Sequence, residues 1–174
     1  MKQDMQSGHC KQVNDVILAT LAKAQPDTII LQANWSNVVL DNLSDTIRAI
    51  RKSSSGKIIL IGPTPVWQDK LPGLYFLYWR KFHETLPARI HFKLDESISE
   101  IDEKAKNVSA ALGIDYISAY NVLCNSDGCL TRVGDGDGEI VAYDNNHLTP
   151  AGSIFLMGSI VKKIITPGQN ISRE

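Results

Sequence analysis

The residues best suited to chemistry are a carboxylate and an imidazole three positions apart. Asp144 and His147 stand in the polar segment 143–152, directly before a final helical pattern. In a loop, such a carboxylate can accept a hydrogen bond from one ring nitrogen. That bond fixes the tautomer and leaves the other nitrogen free to take a proton from a hydroxyl. The alternative is a plain turn, in which Asp144 and Asn146 bond to the backbone and His147 is a surface residue.

The pattern of apolar residues predicts strands alternating with helices upstream of this pair. Three short β-branched runs, at 28–31, 57–61 and 114–118, indicate buried strands. Helical periodicity lies between them, with a capping box of Ser97 and Glu100 expected to begin one helix and Thr149-Pro150 the last. This alternation is typical of a three-layer α/β/α sandwich with a parallel sheet, whose active site lies beyond the carboxyl ends of the strands.

Length and charge exclude several classes of function. The 174 residues suit one domain over 1–174, with 166–174 expected as a flexible tail. A net charge of −1 indicates neither nucleic acid nor an anionic membrane as a partner. No zinc-type cysteine spacing occurs, and the acidic turn at 134–139 lacks the pattern of a calcium loop, so neither a metal nor a cofactor is predicted. A nucleotide binder is disfavoured because no glycine-rich phosphate loop follows a strand.

Three cysteines leave the redox compartment open at this level. Cys124 and Cys129 flank the short loop Asn-Ser-Asp-Gly and would form a local disulfide if that loop folds back. Such a bond implies an oxidising compartment, whereas three free thiols would fit the cytosol. Cys10 has no evident partner within the sequence.

At this point the chain resembles a known family. The segment Asp144-Asn-Asn-His147-Leu-Thr-Pro-Ala-Gly152 resembles the last block of SGNH (GDSL-like) hydrolases. The order of Ile-Ile-Leu-Gln-Ala-Asn-Trp, Gly-Pro-Thr-Pro-Val, the cysteine pair and this block is similar to the SGNH domain attached to bacterial acyltransferase-3 membrane proteins. The resemblance covers roughly residues 10–165 and implies a flavodoxin-like SGNH-hydrolase fold.

The resemblance also implies roles for individual residues. A serine would attack an ester carbonyl to form an acyl-enzyme, with His147 as base and Asp144 as the residue that orients it. Asn34 matches the asparagine of the family's oxyanion hole, although Gln32 and Trp35 replace the glycine and aspartate of that block. Trp35 is a candidate substrate-binding residue, with core packing as the alternative reading.

The family's Gly-Asp-Ser block has no counterpart in the sequence. Ser7 is rejected as the nucleophile because neither an apolar strand nor Gly-Asp precedes it. We therefore expect the serine on a first strand outside this chain, and a sheet that lacks that strand. A fragment of this kind is expected to be inactive alone, and to be stabilised by a homodimer or a strand swap.

Two hypotheses about function follow from the resemblance. The first is an esterase or O-acyltransferase domain that acts on acylated or acceptor carbohydrate of the cell envelope. It would be periplasmic or otherwise extracytoplasmic, and an upstream acyltransferase-3 domain would tether it to the inner membrane. The second is a non-catalytic relic that binds a glycan or a partner protein.

Overall fold

The computed structural model describes residues 2–134 and 139–165, with side chains described from residue 11 onward. The predicted tail at 166–174 and part of the glycine-rich turn, 135–138, lie outside the described residues. Within the described ranges no helix is both long and apolar enough to cross a bilayer. The helices are α1 (Lys2–Ala24), α2 (Asn37–Asp41), α3 (Leu43–Ser53), α4 (Leu71–Phe82), α5 (Ser97–Leu112), α6 (Ala119–Leu123) and α7 (Pro150–Ile165). The strands are β1 (Thr28–Leu31), β2 (Lys57–Ile61), β3 (Arg89–Ile90), β4 (Asp115–Ile117), β5 (Cys124–Asn125), β6 (Gly128–Leu130), β7 (Arg132–Val133) and β8 (Glu139–Ile140).

The central sheet is parallel and has the order β1-β2-β4. Ile29 of β1 pairs with Ile58 of β2, and Leu60 of β2 pairs with Tyr116 of β4. These are the three strands that the apolar runs predicted. Their carboxyl ends lie at one edge of the sheet, as parallel pairing requires.

Helices cover both faces of this sheet, which confirms the predicted three-layer sandwich. Strand β2 alternates: Ile58 and Leu60 pack with α1, α2, α3 and α5, while Ile59 and Ile61 pack with α6 and α7. Because successive side chains of a strand point to opposite faces, a strand buried on both sides is apolar throughout.

A second, smaller core lies beside the central sheet and was not predicted. It combines α4 with two small antiparallel sheets, β3-β6-β5 and β7-β8. The predicted disulfide is present, between Cys124 and Cys129 on the paired strands β5 and β6. The buried centre of this second core includes Trp67, Leu74 and Leu86.

Two local predictions about helices are wrong. The spacing of Val39, Leu43, Ile47 and Ile50 predicts a single helix after Ser36, but this helix is broken at Asn42, which ends α2 and begins α3. Ser97 does not cap α5 because it is already the first helical residue. Instead the Asp95 carboxylate accepts from the Ser97 backbone N–H at 3.1 Å and from its hydroxyl at 2.7 Å. A carboxylate two residues upstream therefore replaces the expected capping box.

Candidate active site

Asp144 and His147 lie on the loop between β8 and α7, beside the segments that follow β1 and β2. His147 Nδ1 and Asp144 Oδ2 are 2.7 Å apart. The second carboxylate oxygen, Oδ1, accepts from the backbone N–H groups of Asn146 at 2.9 Å and His147 at 2.8 Å. Both readings of the sequence thus hold together, since the turn that Asp144 organises is also what aims its carboxylate at the ring.

The protonation of the pair follows from the partners of Asp144. The backbone hydrogen bonds from Asn146 and then His147, together with the bond to the His147 ring, lower the pKa of Asp144 to about 2. An ionised carboxylate can only accept, so Nδ1 of His147 carries the proton and Nε2 is left as the basic atom. His147 is 65% exposed and Asp144 22% exposed, so the ring faces solvent while its partner is largely covered.

Backbone hydrogen bonds fix this loop to the segment that follows β2. The N–H of Trp67 donates to the Asn145 carbonyl at 2.9 Å, and that of Leu71 donates to the Asp144 carbonyl at 3.0 Å. The Thr64 hydroxyl donates to the Asn146 carbonyl at 3.1 Å. The position of the pair is therefore set by contacts that are distant in sequence.

The start of α7 fixes the other end of the loop. The Thr149 hydroxyl accepts from the Gly152 N–H at 3.1 Å and donates to the Ile140 carbonyl at 2.7 Å. Gly152 is packed so closely that an added Cβ would overlap the Val141 carbonyl oxygen. The close approach of α7 to Val141 explains why glycine stands two residues after Pro150.

An open cavity of about 530 Å³ brings the predicted residues together. His147 and Asn34 both line it, and Asn34 lies just beyond the end of β1. Trp35 is buried and also reaches the cavity, with its ring N–H donating to the Ile61 carbonyl at 2.7 Å. This bond ties the ends of β1 and β2 together. The remaining lining includes Gln32, Ala33, Pro63, Thr64, Val66, Ile98, Tyr143, Asn146, Leu148, Ser153, Leu156 and Met157.

Tyr143 is a cavity residue that sequence reasoning missed. Its ring stacks on His147, with centroids 5.7 Å apart and planes inclined by 14°. Its backbone N–H donates to the His147 carbonyl at 3.0 Å, which closes the loop. The sequence signal that could have identified Tyr143 is the position of an aromatic residue directly before Asp144.

A buried carboxylate beneath the strand ends was also missed. Asp102 of α5 accepts from the Tyr116 hydroxyl at 2.6 Å and from the Ser118 hydroxyl at 2.8 Å. Burial raises the pKa of Asp102, while the hydrogen bonds from Tyr116 and Ser118 act in the opposite direction. An added Cβ at Gly62 would overlap the Tyr116 hydroxyl, so this network lies directly under the turn after β2.

Among side chains 11–134 and 139–165, no serine hydroxyl bonds to the ring of His147, whose hydrogen-bond partner is Asp144. Ser153 lines the cavity, on the first turn of α7. The Ser7 side chain lies outside the described residues.

The parallel sheet, covered by helices on both faces and with an Asp–His pair at its carboxyl edge, has the architecture of the SGNH fold class. The chain belongs to the family of SGNH domains fused to AT3 domains, whose family model matches residues 1–162. Curated proteins gave no match.

Solved structures agree with this family. The periplasmic domain of a lipopolysaccharide acetyltransferase from Salmonella ser. Paratyphi A is 38% identical, with a TM-score of 0.82. The match covers 89% of this chain and 63% of that one. Est24, a carbohydrate acetylesterase from Sinorhizobium meliloti, is 15% identical with a TM-score of 0.52, and the match covers 87% and 66% of the two chains. This second likeness shows the fold alone. The chain thus spans less than two thirds of either structure's length.

Proposed function

We propose that this domain takes part in acyl transfer to or from a carbohydrate of the cell envelope, through an acyl-enzyme on a serine. The observation that carries the proposal is the 2.7 Å contact between His147 Nδ1 and Asp144 Oδ2, with the opposite ring nitrogen unbonded among the described residues and beside an open cavity. This arrangement suits a general base that deprotonates a hydroxyl and later returns the proton to the leaving group.

Asn34 is the proposed oxyanion donor. Its side chain makes no hydrogen bond within the described part of the chain and lines the same cavity as His147. A side-chain amide at such a position would stabilise the tetrahedral intermediate by about 3–4 kcal/mol, judged from similar donors elsewhere. Trp35, held by Ile61, would form the floor beside it rather than an exposed sugar platform.

We propose that the nucleophile arrives on a strand that pairs with the outer edge of β1. Within the described residues, β1 is an edge strand. Ile30 on β1 is exposed, and so are apolar side chains of α1 and α7. They are Val13, Val16 and Ile17 of α1, and Ile154, Met157 and Val161 of α7. A strand that covered this edge would bring its carboxyl end beside Asn34. Strand exchange between two copies would cover the same edge in the isolated chain.

The relatives support the proposed substrate and setting. The 38% identical structure is the periplasmic domain of a lipopolysaccharide acetyltransferase, and the family is fused to AT3 domains. We therefore propose a periplasmic location, an acyltransferase-3 domain as the partner in the same polypeptide, and an acylated or acceptor glycan as the substrate. The Cys124–Cys129 disulfide fits an oxidising compartment.

The test compares this 174-residue chain with a form extended by the upstream codons of its gene, using p-nitrophenyl acetate as substrate. We expect turnover by the extended form and none by the shorter one. His147→Ala in the extended form should abolish turnover, whereas Ser153→Ala, on the same cavity wall, should not. Full turnover by the His147→Ala variant would reject the proposed base. An inactive extended form that still binds glycan would favour the non-catalytic alternative.

A further inference from the structure

The outer face of α4 carries aromatic side chains that the described part of the chain leaves uncovered. Phe76, Trp79 and Phe82 are 59%, 55% and 43% exposed. They are spaced three residues apart and so follow one another along the helix surface, while Leu71 and Leu74 of the same helix are buried. Single exposed apolar residues are common, whereas a contiguous aromatic stripe marks a contact surface.

The segment around this stripe is basic although the whole chain is not. Residues 69–93 contain five lysines and arginines and two acidic residues, a formal charge of +3 in a chain of net charge −1. Arg80 and Lys81 are exposed on α4 itself. Lys81 Nζ lies 5.1 Å from the ring centre of Phe82 and 5.3 Å from that of Phe92. Positive charge and aromatic surface are therefore adjacent in space as well as in sequence.

We propose that the outer face of α4 binds the surface of an anionic phospholipid membrane. Tryptophan and phenylalanine side chains favour the headgroup boundary, where an apolar ring meets water. Lysine and arginine next to them are attracted to anionic lipids and fall within the range of the surface potential. The charge of the whole chain gives no such indication, because the acidic residues lie mainly outside this segment.

Membrane binding by α4 would also set the height of the catalytic pair above the lipid. The Leu71 N–H at the start of α4 donates to the Asp144 carbonyl at 3.0 Å, so the helix and the pair are held as one unit. The 12 residues of α4 span roughly 18 Å at the helical rise. The site would therefore stay close to the bilayer, where a membrane-embedded partner delivers or receives its group. The lipid contact itself does not depend on the proposed reaction.

The test mixes the 174-residue chain with vesicles of phosphatidylcholine alone, or with part of the lipid replaced by phosphatidylglycerol. Sedimentation should show binding to the anionic vesicles only, weakened by salt. Trp35 and Trp67 are buried, so Trp79 is the tryptophan that a bilayer would reach, and its emission should shift to the blue. Phe76→Ser with Trp79→Ser, or Arg80→Glu with Lys81→Glu, should reduce the bound fraction at least severalfold.

Matched controls lie on other surfaces. Val38→Ser with Ile165→Ser removes two exposed apolar residues elsewhere, and Lys23→Glu with Lys52→Glu makes the same charge change elsewhere. Both controls should bind as the unaltered chain does. Equal binding by the α4 variants, or no binding and no emission shift in the unaltered chain, would overturn the proposal. So would a dimer in sedimentation equilibrium that Phe76→Ser with Trp79→Ser dissociates, because the face would then be a protein contact.

Discussion

Asp144 holds His147 at two points, since one carboxylate oxygen contacts the ring and the other accepts from the backbone N–H of the same residue. The ring and its loop are therefore positioned by one side chain. This double contact has a consequence for substitution, because an amide in place of the carboxylate has one accepting oxygen and cannot accept from both the backbone and the ring.

Asp144→Asn should invert the tautomer of His147. The asparagine oxygen can still accept from the backbone, which leaves the amide NH₂ facing Nδ1 and favours the proton on Nε2. In the extended, active form we expect a fall in turnover on the order of 10⁴-fold, as for other triads with this change. Nitrogen NMR of the ring tests the tautomer directly in the 174-residue chain, with Ser153→Ala as control. An unchanged protonated Nδ1 in Asp144→Asn would contradict this account.

The loop should keep its structure until strongly acidic pH. The pKa of Asp144 in the folded chain is about 2, below its ordinary value of 3.8. A lowered pKa means that the stabilisation is fully present above about pH 4 and is lost as the pH falls through about 2. The backbone amide signals of Asn146 and His147 should therefore titrate near pH 2. In Asp144→Asn they should not titrate in this range. A midpoint near 4 in the unaltered chain would show that the backbone bonds do not hold the carboxylate.

The sequence carried enough information to predict the sheet and the contact between Asp144 and His147. The run Lys57–Ile61 is apolar because both faces of its strand are buried, and the spacing of Asp144 and His147 is local. The small antiparallel strands were beyond reach, since two- and three-residue strands such as β5 and β6 are too short to show a period.

Long-range contacts explain the rest of what was missed. The bonds from Trp67 and Leu71 to the loop that carries Asp144 come from backbone N–H groups, which every residue other than proline has, so no residue type signals them. Asp102 did leave a signal. It stands four residues after Ile98 and three before Ala105, so the helical period puts a carboxylate on the apolar face of α5.

Removal of the Asp102 carboxylate should destabilise the strand ends. In Asp102→Ala the half-buried Tyr116 and Ser118 hydroxyls lose their carboxylate acceptor, and only Tyr116 keeps the backbone carbonyl of residue 102 at 3.1 Å, so the loss should cost about 1–3 kcal/mol of unfolding free energy. Asp102→Asn should cost less, because the amide oxygen still accepts and a neutral group is easier to bury. Urea unfolding measures both variants. A change in unfolding free energy below about 0.5 kcal/mol in Asp102→Ala is typical of an exposed surface residue. It would contradict a stabilising role for the hydrogen bonds of Asp102.

Two glycines of α7 provide a matched pair of substitutions. Gly152→Ala would drive a methyl group into the Val141 carbonyl, so α7 and the loop carrying His147 must shift. We expect lower stability, and a change in the Tyr143 and His147 ring signals. Gly158→Ala on the same helix meets nothing within 4 Å and should stabilise by about 0.5–1 kcal/mol. Thermal unfolding and NMR of the two variants check both expectations. Equal effects of the two substitutions would show that Gly152 does not pack closely against the Val141 carbonyl.

The disulfide between Cys124 and Cys129 should stabilise the small antiparallel sheet that packs beside α4. Closing so short a loop lowers the conformational entropy of the unfolded chain. On the entropic account this stabilises the folded state by about 2 kcal/mol. Cys129 is fully buried, so reduction should be slow in the folded chain and fast in urea. Thiol counting in denaturant should give one reactive thiol before reduction and three after it, and reduction should lower the urea midpoint. Cys10→Ser should give none before reduction and two after it, with the midpoint unchanged. Three reactive thiols in unreduced material would show that the two strands pair without the bond.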